Sequence, residues 1–239
     1  MNQQKLYFLY KLLFPDDKLI EFPIVIDKFS CTFIPESEIV PQNWAVLDYQ
    51  QCGNCSLNQV SSPFCPIAIN LIPLLNLCSN VASYQTVKLE VLTAERTISG
   101  NTSMQRALSS ILGLIMATSP CPHTEYLKPM ARFHLPLASE DETVYRTASM
   151  YLLAQYFHRK DGLDFSLELD HLKTIYRNLQ IINKALAKRL KDAVIDDATV
   201  NAVVLLDILS QAVSWSIDEG LEEIRYLFTS YGVKTFVDD

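Results

Sequence analysis

Three thiols within fourteen residues, Cys52, Cys55 and Cys65, are the local chemistry in this chain hardest to explain by packing. Thiolate is a soft ligand, and the turn Cys52-Gly53-Asn54-Cys55 lets two sulfurs converge on one ion; zinc suits such a pair. Cys65 follows ten positions after Cys55 and would close a loop back onto the same ion. A structural zinc takes four ligands and closes its shell. The fourth is sought in Ser119-Pro120-Cys121-Pro122-His123-Thr124, where a thiol and an imidazole stand two apart on a proline-fixed segment. The expected metal set is Cys52, Cys55, Cys65 and Cys121, with His123 as the second choice for the last position. Such a centre would staple the early part of the chain to a loop in its middle, a role in stability before one in function. The competing reading is that these are reduced cysteines packed as small hydrophobes. One regular Cys-x-x-Cys pair does not separate the two, as a repeated pair would. Cys31 and Cys78 lie in apolar runs and read as core.

Other constellations carry less. Arg132, His134, Glu142 and Arg146 would suit a small anion near Arg132 and Arg146, at the N-terminus of a helix opened by Ser139. The competing reading pairs the two arginines with Glu140, Asp141 or Glu142, and it is favoured because acidic residues already fill that first turn. A nucleophilic Cys121 served by His123 or His134 is conceivable, but no residue identifies an oxyanion hole. Cys52 and Cys55 as a redox pair would need a helix to open after a strand, and the polar run Ser56 to Ser62 does not supply one. No nucleophile elbow, zincin helix, phosphate loop or dinucleotide turn is present. Asp164, Glu168 and Asp170 lack the regular spacing of a calcium loop and read as a solvated helix entrance.

Composition narrows the field. The chain has 239 residues, 49% hydrophobic and 20% charged with six Gly, the profile of a compact protein with a sizeable core. A net charge of -7 argues against general electrostatic attraction to nucleic acid or to anionic membrane surfaces. The run Leu6 to Phe14 is too short to span a bilayer and no cleavage site follows, so it reads as a strand and not as a signal peptide. Ile111 to Thr118 reads as the next most apolar run and is also too short. Without an export signal the expected location is a reducing cytosol, where thiols or metal prevail over disulfides.

These residues must be held by an α+β arrangement: an N-terminal antiparallel or mixed sheet followed by a C-terminal helical bundle. Leu6 to Phe14 and Leu19 to Ile26 flank the turn Pro15-Asp16-Asp17-Lys18 and predict a hairpin. Phe29 to Ile34 and Trp44 to Tyr49 are expected to continue the sheet, with the cysteine loop following the strand that ends near Tyr49. Pro66 should open a helix that Pro73 kinks or restarts. Thr86 to Thr93 alternates as a strand with Lys88 and Glu90 on its wet side. A turn at Ser99-Gly100-Asn101 and a capping box at Thr102 to Gln105 then precede a buried helix over Ala107 to Met116. Leu127 to Pro136 reads as irregular. Ser139 to Glu142 caps a helix to about Phe157, and Gly162 breaks it.

From Leu167 onward the chain reads as helical. Leu169, Leu172, Ile175, Tyr176, Leu179, Ile182, Leu186 and Leu190 form one face, with Arg177, Lys184, Lys188 and Arg189 opposite. Asp196 and Asp197 cap the next helix, running to Trp215, and Gly220 separates a last one over Leu221 to Tyr231. The expected division is 1–100, a sheet-containing region with the cysteine loop, and 101–239, the bundle, packed as one unit with the first.

At Cys52-Gly-Asn-Cys55, Cys65-Pro66-Ile-Ala, Ile115 to Pro122, Met130-Ala-Arg-Phe-His-Leu-Pro136 and Tyr151 to Tyr156 the chain resembles an uncharacterised bacterial protein family of unknown function. The resemblance covers most of the chain. It implies a cytosolic bacterial protein and brings no assigned activity. The residues themselves favour a non-enzymatic protein with a structural zinc and a protein-interaction or regulatory role, binding a partner or itself. The alternative is an enzyme or ligand sensor using Cys121, His123, Arg132 and His134 in a cleft between the two regions.

Overall fold

Alternation with a period of two builds the sheet. β1 (Lys5–Leu13) pairs antiparallel with β2 (Leu19–Asp27), so that Phe8 faces Ile24, Tyr10 faces Phe22 and Leu12 faces Ile20. The turn between them forms as expected: Phe14 N–H donates to the Lys18 carbonyl at 2.9 Å and Asp17 takes a positive φ of 63°. β3 (Phe33–Ile34) adds to β2, while β4 (Thr86–Leu92) and β5 (Thr97–Ser103) extend the other side, giving the order β3-β2-β1-β4-β5 with every neighbour antiparallel. Phe8, Tyr10, Leu12, Ile20, Phe22, Ile24, Val87, Leu89 and Val91 make one buried face. Charges line the other: Lys11 pairs with Glu21 at 2.8 Å, and Lys88 with Glu90 at 2.6 Å. The computed structural model describes residues 4–78, 81–193 and 197–234.

Helices then cover the buried face. α1 (Pro66–Leu77) begins on its proline and runs through Pro73 as one element; that ring deletes only the donor to the Ile69 carbonyl, near the helix end. α2 (Met104–Thr118) packs against α1, β4 and β5, and Pro120 follows its end. Tyr10, fully buried, sends its hydroxyl to Ser110 on α2 and to His134 Nε2, so the sheet and the helix above it share one polar contact within an apolar layer. α3 (Lys128–Arg132) follows, so the stretch expected to be irregular contains a short helix. The remaining helices are α4 (Glu140–Lys160), α5 (Asp170–Ala193), α6 (Ala198–Asp218) and α7 (Glu222–Arg225), the last continuing as a 3-10 turn to Tyr231 before Gly232. The fold is α+β, an antiparallel sheet and then a helical region, as the patterning predicts.

Three local expectations are corrected. The turn at Ser99-Gly100-Asn101 lies inside β5, and the chain reverses at Thr93 to Arg96, where Thr93 N–H donates to the Arg96 carbonyl at 2.9 Å. Gly100 is there for space: a Cβ would stand 3.3 Å from Leu137 Cδ1. The Thr102 to Gln105 box does not form either. Ser103 precedes α2 without a side-chain cap, and the free amides of Met104 and Gln105 donate instead to the carbonyls of Gln85 at 2.8 Å and Ser83 at 3.0 Å. Trp44 to Tyr49 is not a strand; a 3-10 turn spans Asn43–Ala45, and Val46 makes a single bridge to Phe64.

The chain divides into two compact units, one of Met1–Leu137 with Ile181–Asp207 and one of Ala138–Gln180 with Ile208–Asp239. The expected boundary at 100/101 falls within β5. In the second unit the Ser139 capping box forms in full: Ser139 Oγ accepts from Glu142 N–H at 3.2 Å and Ser139 N–H donates to Glu142 Oε2 at 2.7 Å. Val144, Ala148, Tyr151 and Gln155 are buried as expected, Leu152 is not, and Gly162 ends the run at φ 72°. Gln155 accepts from Ser166 N–H at 2.9 Å, and Tyr176 hydroxyl meets Thr147 Oγ1 at 2.6 Å in the interior.

The α5 face is buried from Leu172 to Leu190 as its period requires. The proposed cap at Asp196 lies outside the described residues. Asp197 carboxylate accepts from Ser83 N–H at 3.1 Å and Ser83 Oγ at 3.0 Å. By length and composition alone α6 is apolar enough to cross a membrane, at a mean hydropathy of 1.5 with 28% of its window buried, a test that core helices of soluble proteins also pass.

Burial holds the Tyr176 phenol up at about 12, above its ordinary 10.0. A raised folded value favours the native state fully below the unfolded value and ceases to do so as pH climbs through the folded one. Tyr10 is displaced in the same direction by the same cause. The urea midpoint should therefore hold steady up to about pH 9.5 and fall between about pH 10 and pH 12; a midpoint flat to pH 12 contradicts this. Ser139→Ala, which removes the capping box, should cost about 1 kcal/mol in the same assay.

Candidate functional site

The four cysteines of the expected set come from three segments, and each segment has its own local reason for its course. Cys52 and Cys55 sit on a tight turn in which Cys55 N–H donates to the Cys52 carbonyl at 3.0 Å. Cys65 is the residue before Pro66 at the start of α1; its N–H donates to the Ala45 carbonyl at 2.8 Å and its carbonyl receives Ile69 N–H at 3.0 Å. Cys121 follows the end of α2, where Cys121 N–H donates to the Ser119 carbonyl at 2.8 Å and Thr124 N–H returns to the Cys121 carbonyl at 3.0 Å. All four line one cavity of about 30 Å³. Leu47, Ile67, Ile182 and Leu186 supply its apolar walls, and His123 and Arg189 also belong to its lining.

Electrostatics in this cavity are unusual for a thiol cluster. Burial pushes the Cys52 thiol up to about 12, and Cys65, Cys55 and Cys121 push in the same direction, so the four sulfurs are near enough to sense one another. Burial raises Cys121 as well, although its sulfur accepts backbone N–H groups from His123 and Thr124. The six cysteines are free thiols. Two positive features face them. One is the N-terminus of α1, whose amides carry the positive end of the helix dipole. The other is Arg189, only 2% exposed, which the sequence reading placed on the wet side of α5.

Arg189 is the cavity-lining residue that sequence patterning does not place there. It stands seven after Ile182 and three after Leu186, so α5 projects all three into the cavity from one face. Its guanidinium donates to the carbonyls of Trp44, Val46 at 2.7 Å and Leu47 at 3.3 Å, and the Tyr49 ring lies 5.8 Å away. That explains why Trp44 to Tyr49 does not join the sheet: its carbonyls are already used by the arginine. The signal was in the spacing, since position 189 falls in the same i, i+4, i+7 register as the apolar residues before it.

His123 lines the cavity as well. Its Nε2 donates to the Asn54 carbonyl at 2.6 Å, tying the Cys121 segment to the Cys52–Cys55 turn. The other residues of the alternative reading do not join it. His134 packs edge-on to Phe8 at 5.8 Å and bonds Tyr10, while Arg132 lies 5.2 Å from the Phe133 ring; neither lines the cavity. Arg132 belongs to the first unit and Arg146 to the second. Cys31 and Cys78 are buried, as their apolar runs predict. Among the described residues no group of three or more His, Cys, Asp or Glu side chains stands in a geometry that holds a metal ion.

Fold and site together define an α+β protein with a small, thiol-lined cavity in its sheet-containing unit. The chain belongs to the family described as Domain of unknown function (DUF6901), whose model matches residues 8–229. No curated protein and no solved structure matches it.

In metal-free, reduced protein the raised Cys52 thiol should alkylate slowly at pH 7.5 and faster only as pH approaches 12, because the thiolate is the reacting form. Mass spectrometry of iodoacetamide-treated protein across pH checks this. Rapid labelling of Cys52 at neutral pH would contradict the burial described here.

Proposed function

We propose that this is a non-catalytic cytosolic protein in which Cys52, Cys55, Cys65 and Cys121 hold one structural zinc ion, and which acts by contacting a protein partner or a second copy of itself. The observation that carries the reading is the convergence of four cysteines, from segments up to about seventy residues apart, on one cavity. At about 30 Å³ the cavity is small, which suits a single ion better than an organic cofactor. Zinc takes four sulfurs without redox demands.

The thiols as they stand are not in ligating geometry. Each cysteine turns about one torsion, and a change of staggered rotamer moves its sulfur by on the order of 3 Å without moving backbone. Cys121 already accepts amide hydrogens at its sulfur, which stabilises a thiolate. His123 stands as the second choice for the fourth position: its Nε2 donates to the Asn54 carbonyl, which leaves Nδ1 as the nitrogen that could ligate.

The enzymatic alternative finds less support. An activated cysteine has its thiolate favoured by its surroundings, whereas burial raises Cys121. A contact role is supported by the exposed Leu153, Tyr156, Phe157, Leu163 and Phe165 of the second unit, more apolar surface than a solvated helix pair needs.

Elemental analysis of protein purified without chelator should return one zinc per chain, and Cys55→Ser should lose it together with thermal stability, since binding energy at such sites is folding energy. A zinc-free wild type, or a Cys55→Ser protein that keeps both metal and melting temperature, overturns the assignment.

A further inference from the structure

We propose that Arg189 is a positioning residue for the cysteine site, its buried guanidinium offsetting one of the two net negative charges that four thiolates around a divalent soft metal ion would carry. The inference rests on the zinc reading above and deepens it by naming what balances the charge. A guanidinium stays charged at every pH a folded protein meets, and taking that charge out of water is costly unless an anion accompanies it. Arg189 is 2% exposed, and its hydrogen-bond acceptors are the neutral carbonyls of Trp44, Val46 and Leu47. Among the described residues none of the carboxylates lies within ion-pair distance of it; Asp192, one turn along α5, is engaged with Tyr49 hydroxyl at 3.0 Å and with Gln50 at 3.3 Å.

Arg189 shares a cavity with the thiols of Cys52, Cys55, Cys65 and Cys121, and its charge is felt at Cys52. Four thiolates around a divalent ion carry a net charge of two minus, the partner that the buried cation lacks. The N-terminus of α1, beginning next to Cys65, adds positive potential from a second direction. The carbonyl clamp also holds the guanidinium in place, so that its charge is fixed beside the site before metal arrives.

The test uses the full chain. Zinc affinity is measured by competition with a chromophoric chelator for wild type, Arg189→Gln and Arg189→Lys, beside the melting temperature of each metal-free protein. Gln keeps hydrogen-bond donors and loses the charge; Lys keeps the charge and loses the fork. The expected result is a loss of about 10- to 100-fold in affinity for Arg189→Gln, the scale of outer-shell effects at metal sites, with Arg189→Lys clearly tighter than Arg189→Gln. Equal affinity for wild type and Arg189→Gln, or equal weakening in both variants, overturns the proposal. If neither variant folds, cobalt substitution of the wild type decides: a charge-transfer spectrum of four thiolates supports a dianionic centre, and one of three thiolates overturns it. A wild type that binds neither zinc nor cobalt refutes the zinc reading itself, a result distinct from any of these.

Discussion

A guanidinium removed from water must find acceptors for its N–H groups and company for its charge, and much of the first unit is arranged around meeting that demand for Arg189. Its fork takes the carbonyls of Trp44, Val46 and Leu47. Those carbonyls are then unavailable to a neighbouring strand, so the chain leaves the sheet after β3 and runs as a clamp along α5. From that clamp it passes directly into the Cys52 turn, and Ala45 within it receives Cys65 N–H. The position of three of the four cysteines therefore follows from where one arginine obtains its hydrogen bonds.

The fourth depends on the sheet. Cross-strand rows such as Val91, Tyr10 and Phe22 create a flat apolar face, and α2 lies on it because Ala107, Leu108, Ile111, Leu112 and Ile115 present a matching surface. The sheet thereby sets the height at which α2 ends, and Pro120 and Pro122 turn the chain immediately beyond. His123 completes the junction by reaching the Asn54 carbonyl. The cavity is thus bounded by elements whose own packing has nothing to do with sulfur chemistry, the ordinary situation for a site held on a rigid scaffold.

Period and cap residues made much of the fold readable. The β1–β2 hairpin, β4, the proline-initiated α1, the Ser139 box and the buried face of α5 all stand where local pattern puts them, because each is decided by contacts between residues close in sequence. The misreadings share a different cause. Trp44 to Tyr49 has strand-like composition, yet its carbonyls are claimed by a residue some 145 positions away. Gly100 looks like a turn residue, yet it is small to admit Leu137. Thr102 to Gln105 has the letters of a capping box, yet the carbonyls of Gln85 and Ser83 reach the helix amides first. Arg189 reads as solvated because arginine usually is, and only its register along α5 hinted otherwise.

The sequence by itself determined which residues could do chemistry, that the protein is α+β, and that Cys31 and Cys78 belong to cores. These are properties of residue type and short spacing, and burial then enforces them. Only the tertiary structure decided that Cys52, Cys55, Cys65 and Cys121 line one small cavity together with His123, and that the buried Arg189 belongs to the same lining. Those facts depend on the closure of long loops, and neither the period of a helix nor the spacing of cysteines carries information about where a distant segment will find its hydrogen bonds.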